Sequence, residues 1–350
     1  MTPRHSLIIA SLLASPCAAS GAGPAAAQQV WLAPDSETPD LVEMFQHPEL
    51  WAQSRSRVSV IKLGPQQVRA TGKPAENSID GLVKVGAFEK LAAWHIDVAI
   101  EAPAIKPWDC TAVHARQMTI DYIRSVNAMG GKVRYIAMDE PLAAGVRQCH
   151  DSFEGARDKT ADYIKELSRD SGLAAQGLTP EIGDIEAYPF FGATDIERWV
   201  RGLEQRGAKP RFLHLDVNIH RVDVDRSVNA PRDLAELTRF LRGENIPFGI
   251  ILWPGYNPVP SDRAFHDLTV SWARRVHQAI GQSDEVIVQS WVVRGGAACS
   301  MSDPACDMTH SHCAASDAAG CGKHTVPLNL PESGAFTLTR TLLDSLRILQ

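Results

Sequence analysis

The stretch that decides the fold is Val133-Arg134-Tyr135-Ile136-Ala137-Met138-Asp139-Glu140-Pro141. It starts as an apolar run rich in β-branched and aromatic side chains, as a buried strand does. It ends in two adjacent acids and a proline. Proline cannot continue a hydrogen-bonded ladder and pushes the residue before it into extended geometry. The strand therefore stops there, with Asp139 and Glu140 at its carboxyl end. Burying charge is costly unless it is paired, so the two carboxylates are either a salt-bridged cap or working groups.

Working outward, the same pattern recurs along the chain. Strands are expected at Val30 to Ala33, Val58 to Leu63, Ile96 to Glu101, Glu181 to Tyr188, Arg211 to Val217, Phe248 to Trp253 and Glu285 to Val293. Most stop at Pro or Gly. Helical stretches fall between them: Leu41 to Ser54, Ala87 to Trp94, Ala112 to Met129, Phe153 to Ser168, Pro231 to Arg242 and Asp262 to Ile280, with Leu338 to Leu349 last. Gly130-Gly131 closes one of them as C-cap glycines do. Thr194 reads as the N-cap of another, with Glu197 completing a capping box. Strands alternating with helices imply a parallel sheet. Eight such units in about 320 residues, with no break in composition, fit a single (β/α)8 TIM barrel over residues 28–350. A doubly wound open sheet is the alternative. Against it, no Gly-x-Gly-x-x-Gly follows the first strand and no phosphate loop is present.

The first 27 residues stand outside this scheme. Arg4 and His5 precede the apolar run Leu7 to Ala14, and a small-residue tract ends in Ala25-Ala26-Ala27. This reads as a signal peptide cleaved after Ala27, giving a periplasmic or secreted product that begins at Gln28. Pro16 directly before Cys17 argues against a lipoprotein signal. No later stretch is apolar for long enough to span a bilayer. The net charge of −6 and the lack of a dense basic run give no support to nucleic-acid binding.

Six cysteines remain after residue 27: Cys110, Cys149, Cys299, Cys306, Cys313 and Cys321. An even number in an exported protein favours disulfides and no free thiols. The last four form a cysteine-rich loop after the eighth strand, together with His310, His312 and His324. Zinc is the competing reading there, but the spacing matches no standard finger or ribbon. Cys110 and Cys149 follow consecutive strands at the same end of the barrel, which allows a bridge between their loops. Spacing alone does not fix the connectivity.

Residues two apart in a strand share a face. This parity places His214 and Asp216 inside on the sixth strand, Asp184 and Glu186 on the fifth, Glu101 on the third, Lys62 on the second, Trp253 on the seventh, and Gln289 and Trp291 on the eighth. Asp139 points inward on the fourth, with Glu140 beyond it at the rim. The short first strand contributes Asp35. The carboxyl ends of barrel strands are where active sites sit. A mouth of Glu101, Asp139, Glu140, Glu186 and Asp216 with Lys62, Trp253 and Trp291 suits a neutral polyhydroxylated ligand. Indole stacks on a sugar ring while carboxylates bind hydroxyls. Crowded carboxylates raise one another's pKa, keeping one protonated as a general acid. An acid beside a base or nucleophile is the equipment for glycoside hydrolysis.

Asp139-Glu140-Pro141 at the end of the fourth strand resembles the Asn-Glu-Pro of the large clan of retaining (β/α)8 glycoside hydrolases. Asp184-Ile185-Glu186-Ala187-Tyr188-Pro189 and His214-Leu215-Asp216-Val217-Asn218 likewise resemble exported glycoside-hydrolase-like barrel proteins. The resemblance implies that Glu140 is the acid/base and that Asp139 binds the sugar 2-hydroxyl. The clan has its nucleophilic Glu at the end of the seventh strand, where this chain has Trp253-Pro254-Gly255. The partner of Glu140 is then Asp216 or Glu186, with substrate contacts from Asp139, Glu101, Lys62, Tyr188, Trp253, Gln289 and Trp291. A carbohydrate substrate is expected, with no cofactor and no metal.

Three bland readings stand beside these. Glu101 is also placed to pair with Lys62, His214 to be a satisfied core histidine, and Tyr188, Phe190 and Phe191 to cover the rim. Two rival functions also fit. One is a metal-dependent sugar isomerase or lyase using Glu140, Glu186, Asp216 and His214 as ligands. The other is a noncatalytic glycan-binding barrel lacking its nucleophile.

Overall fold

The computed structural model describes residues 28–34, 40–69, 78–257, 259–293 and 325–350. The leader, Asp35 and the four cysteines and three histidines of the 299–324 segment lie outside the described residues. Eight parallel strands close into a barrel in sequence order. They are β1 (Gln29–Ala33), β2 (Val60–Leu63), β3 (Asp97–Ala102), β4 (Val133–Asp139), β5 (Glu181–Tyr188), β6 (Leu213–Val217), β7 (Phe248–Leu252) and β8 (Glu285–Gln289). The seam is sealed by β1 on β8, five residues in register from Gln29↔Glu285 to Ala33↔Gln289. No helix among the described residues is long and apolar enough to cross a membrane.

Helices pack around the barrel where the apolar periodicity puts them. Phe153–Ser168, Asp262–Ile280 and Leu338–Leu349 keep the expected limits. The single helix expected over 41–54 is instead a series of short turns, Glu43–Gln46, Pro48–Trp51 and Ala52–Arg55. Pro48 breaks it, having no N–H to give and no tolerance for a helical residue before it. The helix expected to start at Thr194 begins at Ala193, with Gly192 as N-cap and no side-chain cap. The eighth strand stops at Gln289. Val292–Val293 then pairs antiparallel with Thr325–Val326, a separate two-stranded sheet.

The barrel interior is filled rather than open, as such barrels are. Near its lower end the rings of Trp31, Tyr135, Phe212 and His214 pack with centroids 4.7–5.9 Å apart. His214 Nε2 meets Glu285 Oε2 at 2.6 Å, both buried. It is a core histidine, but only half satisfied: its buried Nδ1 has no hydrogen-bond partner among the described residues. Burial lowers its pKa, against the raising effect of Glu285, and favours the neutral ring.

The parity read for β5 is off by one. Residues paired across a parallel ladder point the same way. Ala137↔Gly183 and Asp139↔Ile185 pair on one side of β5, and Ile185↔His214 and Ala187↔Asp216 on the other. The inward residues are therefore Gly183, Ile185 and Ala187. Asp184, Glu186 and Tyr188 face the helical layer. Both faces of a parallel strand are buried in this fold, so polarity did not mark the inside. Gly183 is inward because the Phe212 ring fills its side-chain space: a Cβ there would lie 2.3 Å from ring carbons.

This contact gives the first prediction. Gly183→Val overpacks the barrel against Phe212 and should cost roughly 1–3 kcal/mol in urea unfolding. An unchanged denaturation midpoint would place residue 183 on the other face.

Candidate active site at the barrel mouth

Beyond the carboxyl ends of the strands lies an open cavity of about 560 Å³. Its floor and walls include Lys62, Glu101, Asp139, Glu140, Asp216 and Gln289, with Trp291 at the side. β2, β3, β4, β6 and β8 thus deliver the residues that parity assigned to the mouth. Trp253 lies behind, ring against Trp291 at 4.7 Å and Nε1–H donating to Asp216 Oδ1 at 2.6 Å.

Glu140 reaches the cavity by an exceptional backbone. Continued alternation after Asp139 would turn it outward. Instead it adopts the left-handed conformation, φ 51° and ψ 51°, which a side chain other than glycine, asparagine or aspartate seldom takes. The following Pro141 disfavours the right-handed helical alternative. Two contacts hold the turn. The Glu140 N–H donates to Ile185 O at 3.0 Å, and the Leu142 N–H donates to Glu186 Oε1 at 2.8 Å. Glu186 is fully buried. Although it was expected in the mouth, it stands behind it, on the helix side of β5, as a clamp on the turn that aims Glu140. Tyr188 is likewise outside the cavity, buried and donating its hydroxyl to Asp233 Oδ2 at 2.8 Å.

The charges in the cavity divide into two kinds. Lys62 is ion-paired with Glu101 and donates to Gln289 Oε1 at 2.7 Å. Lys106 is ion-paired with Asp139. Among the described residues, Glu140 and Asp216 have no lysine or arginine within ion-pair distance. Burial, then the Asp216 and Asp139 charges, push the Glu140 pKa well above the usual carboxylate range. Burial pushes Asp216 up to about 7, against the lowering effects of the Trp253 N–H and Lys62. The Trp253 N–H favours the anion of Asp216.

Lys106 is the site residue that parity could not find. It follows β3 in a loop, where alternation has ended. Burial opposes its charge, but the carboxylates of Asp139, Glu140 and Glu101 outweigh that and raise its pKa. The sequence signal was a lysine inside the apolar run Ala102-Pro103-Ala104-Ile105-Lys106-Pro107-Trp108. The Cys110–Cys149 disulfide ties this loop to the segment after Glu140.

Among the described residues no three of His, Cys, Asp and Glu gather as a metal-ligand set. The expected set of Glu140, Glu186, Asp216 and His214 is dispersed, with Glu186 behind the strand and His214 on Glu285. Neither a family model nor a curated protein matches the sequence. Solved (β/α)8 enzymes of several chemistries resemble the fold. A modular endo-β-1,4-mannanase from Cellulomonas fimi is 10% identical, over 79% of this chain and 68% of that one, with TM-score 0.48. An endo-β-1,6-glucanase is 11% identical, over 75% and 65%, with TM-score 0.46. Phospho-2-dehydro-3-deoxyheptonate aldolase from Thermotoga maritima is 14% identical, over 75% and 60%, with TM-score 0.39. The chain thus spans less than two thirds of the latter two proteins. At these identities the likeness is one of fold alone.

Behind the mouth, Asp184 and Glu186 are both buried on the outer face of β5, and burial raises both pKa values, Asp184 to about 8. Unfolded, each would lose its proton near pH 4. Between about pH 4 and 8 the folded state therefore binds more protons, and stability should fall as pH rises through that window. Asp184→Asn, which can still accept from Trp199 Nε1–H, should flatten the decline of Tm across it. A slope equal to wild type would show that Asp184 is ionised in the folded protein.

Proposed function

We propose that the protein is a glycoside hydrolase, with Glu140 as general acid and Asp216 as base or nucleophile. One observation supports this reading: two carboxyl groups, neither ion-paired with a lysine or arginine among the described residues, share one open cavity, and both pKa values are raised, Asp216 to about 7 and Glu140 well above the usual range, so that one can hold a proton beside an ionised partner. That division of labour is what cleavage of a glycosidic bond needs. Glu140 donates its proton to the leaving oxygen as the bond to the anomeric carbon breaks. Asp216 either takes a proton from the attacking water or attacks the anomeric carbon itself. The separation between the two carboxyl groups selects between these courses.

The other residues fit a neutral sugar. Glu101 and Asp139 are each neutralised by a lysine, so the pair can accept hydroxyl hydrogen bonds without leaving strong net charge in the cavity. Gln289 offers an amide next to Lys62, and Trp291 supplies an apolar wall backed by Trp253. Lys62 and Lys106 are each occupied by an ion pair with a carboxylate, which argues against a Schiff-base reaction at this mouth. The carbohydrate substrate and a location outside the cytoplasm belong to the same reading. The signal-like residues 1–27 and the Cys110–Cys149 bridge support the location.

Release of reducing sugar from a panel of neutral polysaccharides tests the reading. Glu140→Gln keeps the shape but cannot donate a proton, so turnover should fall roughly 10²–10⁴-fold. The acid limb of kcat/KM should lie near pH 7, where Asp216 ionises, and the alkaline limb should report Glu140. Glu140→Gln with near-wild-type turnover would remove Glu140 from the chemistry. Binding of a polysaccharide with no turnover by wild type would leave a binding barrel.

A further inference from the structure

The loop after β3 holds a tryptophan that the acid site does not use. Lys106, Pro107, Trp108 and Asp109 form a tight turn, closed by Asp109 N–H donating to Lys106 O at 2.8 Å and Lys106 N–H donating to Asp109 O at 3.4 Å. Trp108 occupies the third position of this turn. Such positions favour glycine, asparagine, aspartate or serine, so turn chemistry does not call for an indole there. Packing does not call for it either. Trp108 is 54% exposed, with His114 edge-on to its ring at 6.0 Å.

The turn is nonetheless built to hold still. The Cys110–Cys149 disulfide ties it to the segment after Glu140. The Asp109 carboxylate accepts from the Ala115 N–H at 2.8 Å and from the Thr111 hydroxyl at 2.6 Å. Leaving so large an apolar side chain half in water forgoes much of the stabilisation that its burial would give. Two residues earlier in the same turn, Lys106 lines the acid cavity and pairs with Asp139. Two residues of chain span at most about 7 Å, so the backbone carrying the indole stays close to that of Lys106, whose side chain lines the cavity.

We propose that Trp108 is the stacking platform of an outer sugar subsite, taking a neutral pyranose unit of a glycan chain whose reacting unit lies between Glu140 and Asp216. The inference rests on the glycosidase reading and adds to it that the substrate is a chain longer than the cavity. The indole carries no charge and offers a flat apolar surface, which matches the C–H face of a pyranose. The turn it shares with the cavity residue Lys106 points to the same chain as its occupant.

The test compares wild type with Trp108→Ala and Trp108→Phe on xylan, glucomannan and a mixed-linkage β-glucan. Gel retardation by each polymer gives binding, and reducing-sugar release gives kcat and KM. The same constants are measured on the shortest oligosaccharide that wild type cleaves. Trp108→Ala should raise KM for the polymer about tenfold, the size of one aromatic contact. It should leave kcat and the short substrate unchanged, and Trp108→Phe should recover most of the loss. An unaltered polymer KM in Trp108→Ala would overturn the subsite while the glycosidase reading stands. Equal losses on polymer and short substrate would also overturn it, assigning the indole to support of the Lys106 loop. Wild type that neither binds nor cleaves any of the three polymers would instead remove the reading on which the subsite rests.

Discussion

The chemistry of the mouth depends on one strained turn. Glu140 sits in a left-handed conformation between the end of β4 and Pro141, at a cost of order 1–3 kcal/mol for a residue of its type. The turn persists because its neighbours over-determine it. Ile185 O takes the Glu140 N–H, and Glu186 takes the N–H of Leu142 from behind. Without the turn, strand alternation would send the Glu140 side chain into the helical layer. With it, two adjacent residues, Asp139 and Glu140, both face the cavity.

That geometry then sets the charges. Four acids in one cavity could not all stay ionised without compensation. Two lysines settle two of them: Lys62 holds Glu101, and Lys106 holds Asp139. The remaining two, Glu140 and Asp216, share the burial without an ion pair to a described lysine or arginine, and the Trp253 N–H favours the anion of Asp216. The lysines therefore do more than bind: they confine the raised pKa values to the pair that needs them. The disulfide acts on the same arrangement, since it joins the loop carrying Lys106 to the segment leaving Glu140.

Much of this was legible in the sequence. The recurring strands gave the closed barrel, and period-two reading placed Lys62, Glu101, Asp139, Asp216, Gln289 and Trp291 at the mouth. It failed on β5, where Gly183 has no side chain to mark the inner face and where Asp184 and Glu186, though acidic, are buried on the outer one. Period-two reading presumes that the polar face is the inner one, and a strand covered on both sides breaks that presumption. It also could not reach Lys106, which belongs to a loop with no period. The backbone conformation of Glu140 was out of reach as well, because nothing in Asp-Glu-Pro itself requires a positive φ. The 41–54 segment was misread as one helix because apolar spacing outweighed Pro48.

Everything proposed for the mouth requires that Glu140 keep its proton above the range of an ordinary glutamate while an ionisable partner shares its cavity. Infrared difference spectra of wild type against Glu140→Gln, recorded from pH 5 to 9, report this directly through the carboxylic C=O stretch. A protonated carboxyl band that persists above the ordinary glutamate range should be present in wild type and missing from the variant, and a second band, lost in Asp216→Asn, should titrate near pH 7. A wild-type spectrum in which both groups are already carboxylates at pH 5, as ordinary acids would be, would contradict that requirement.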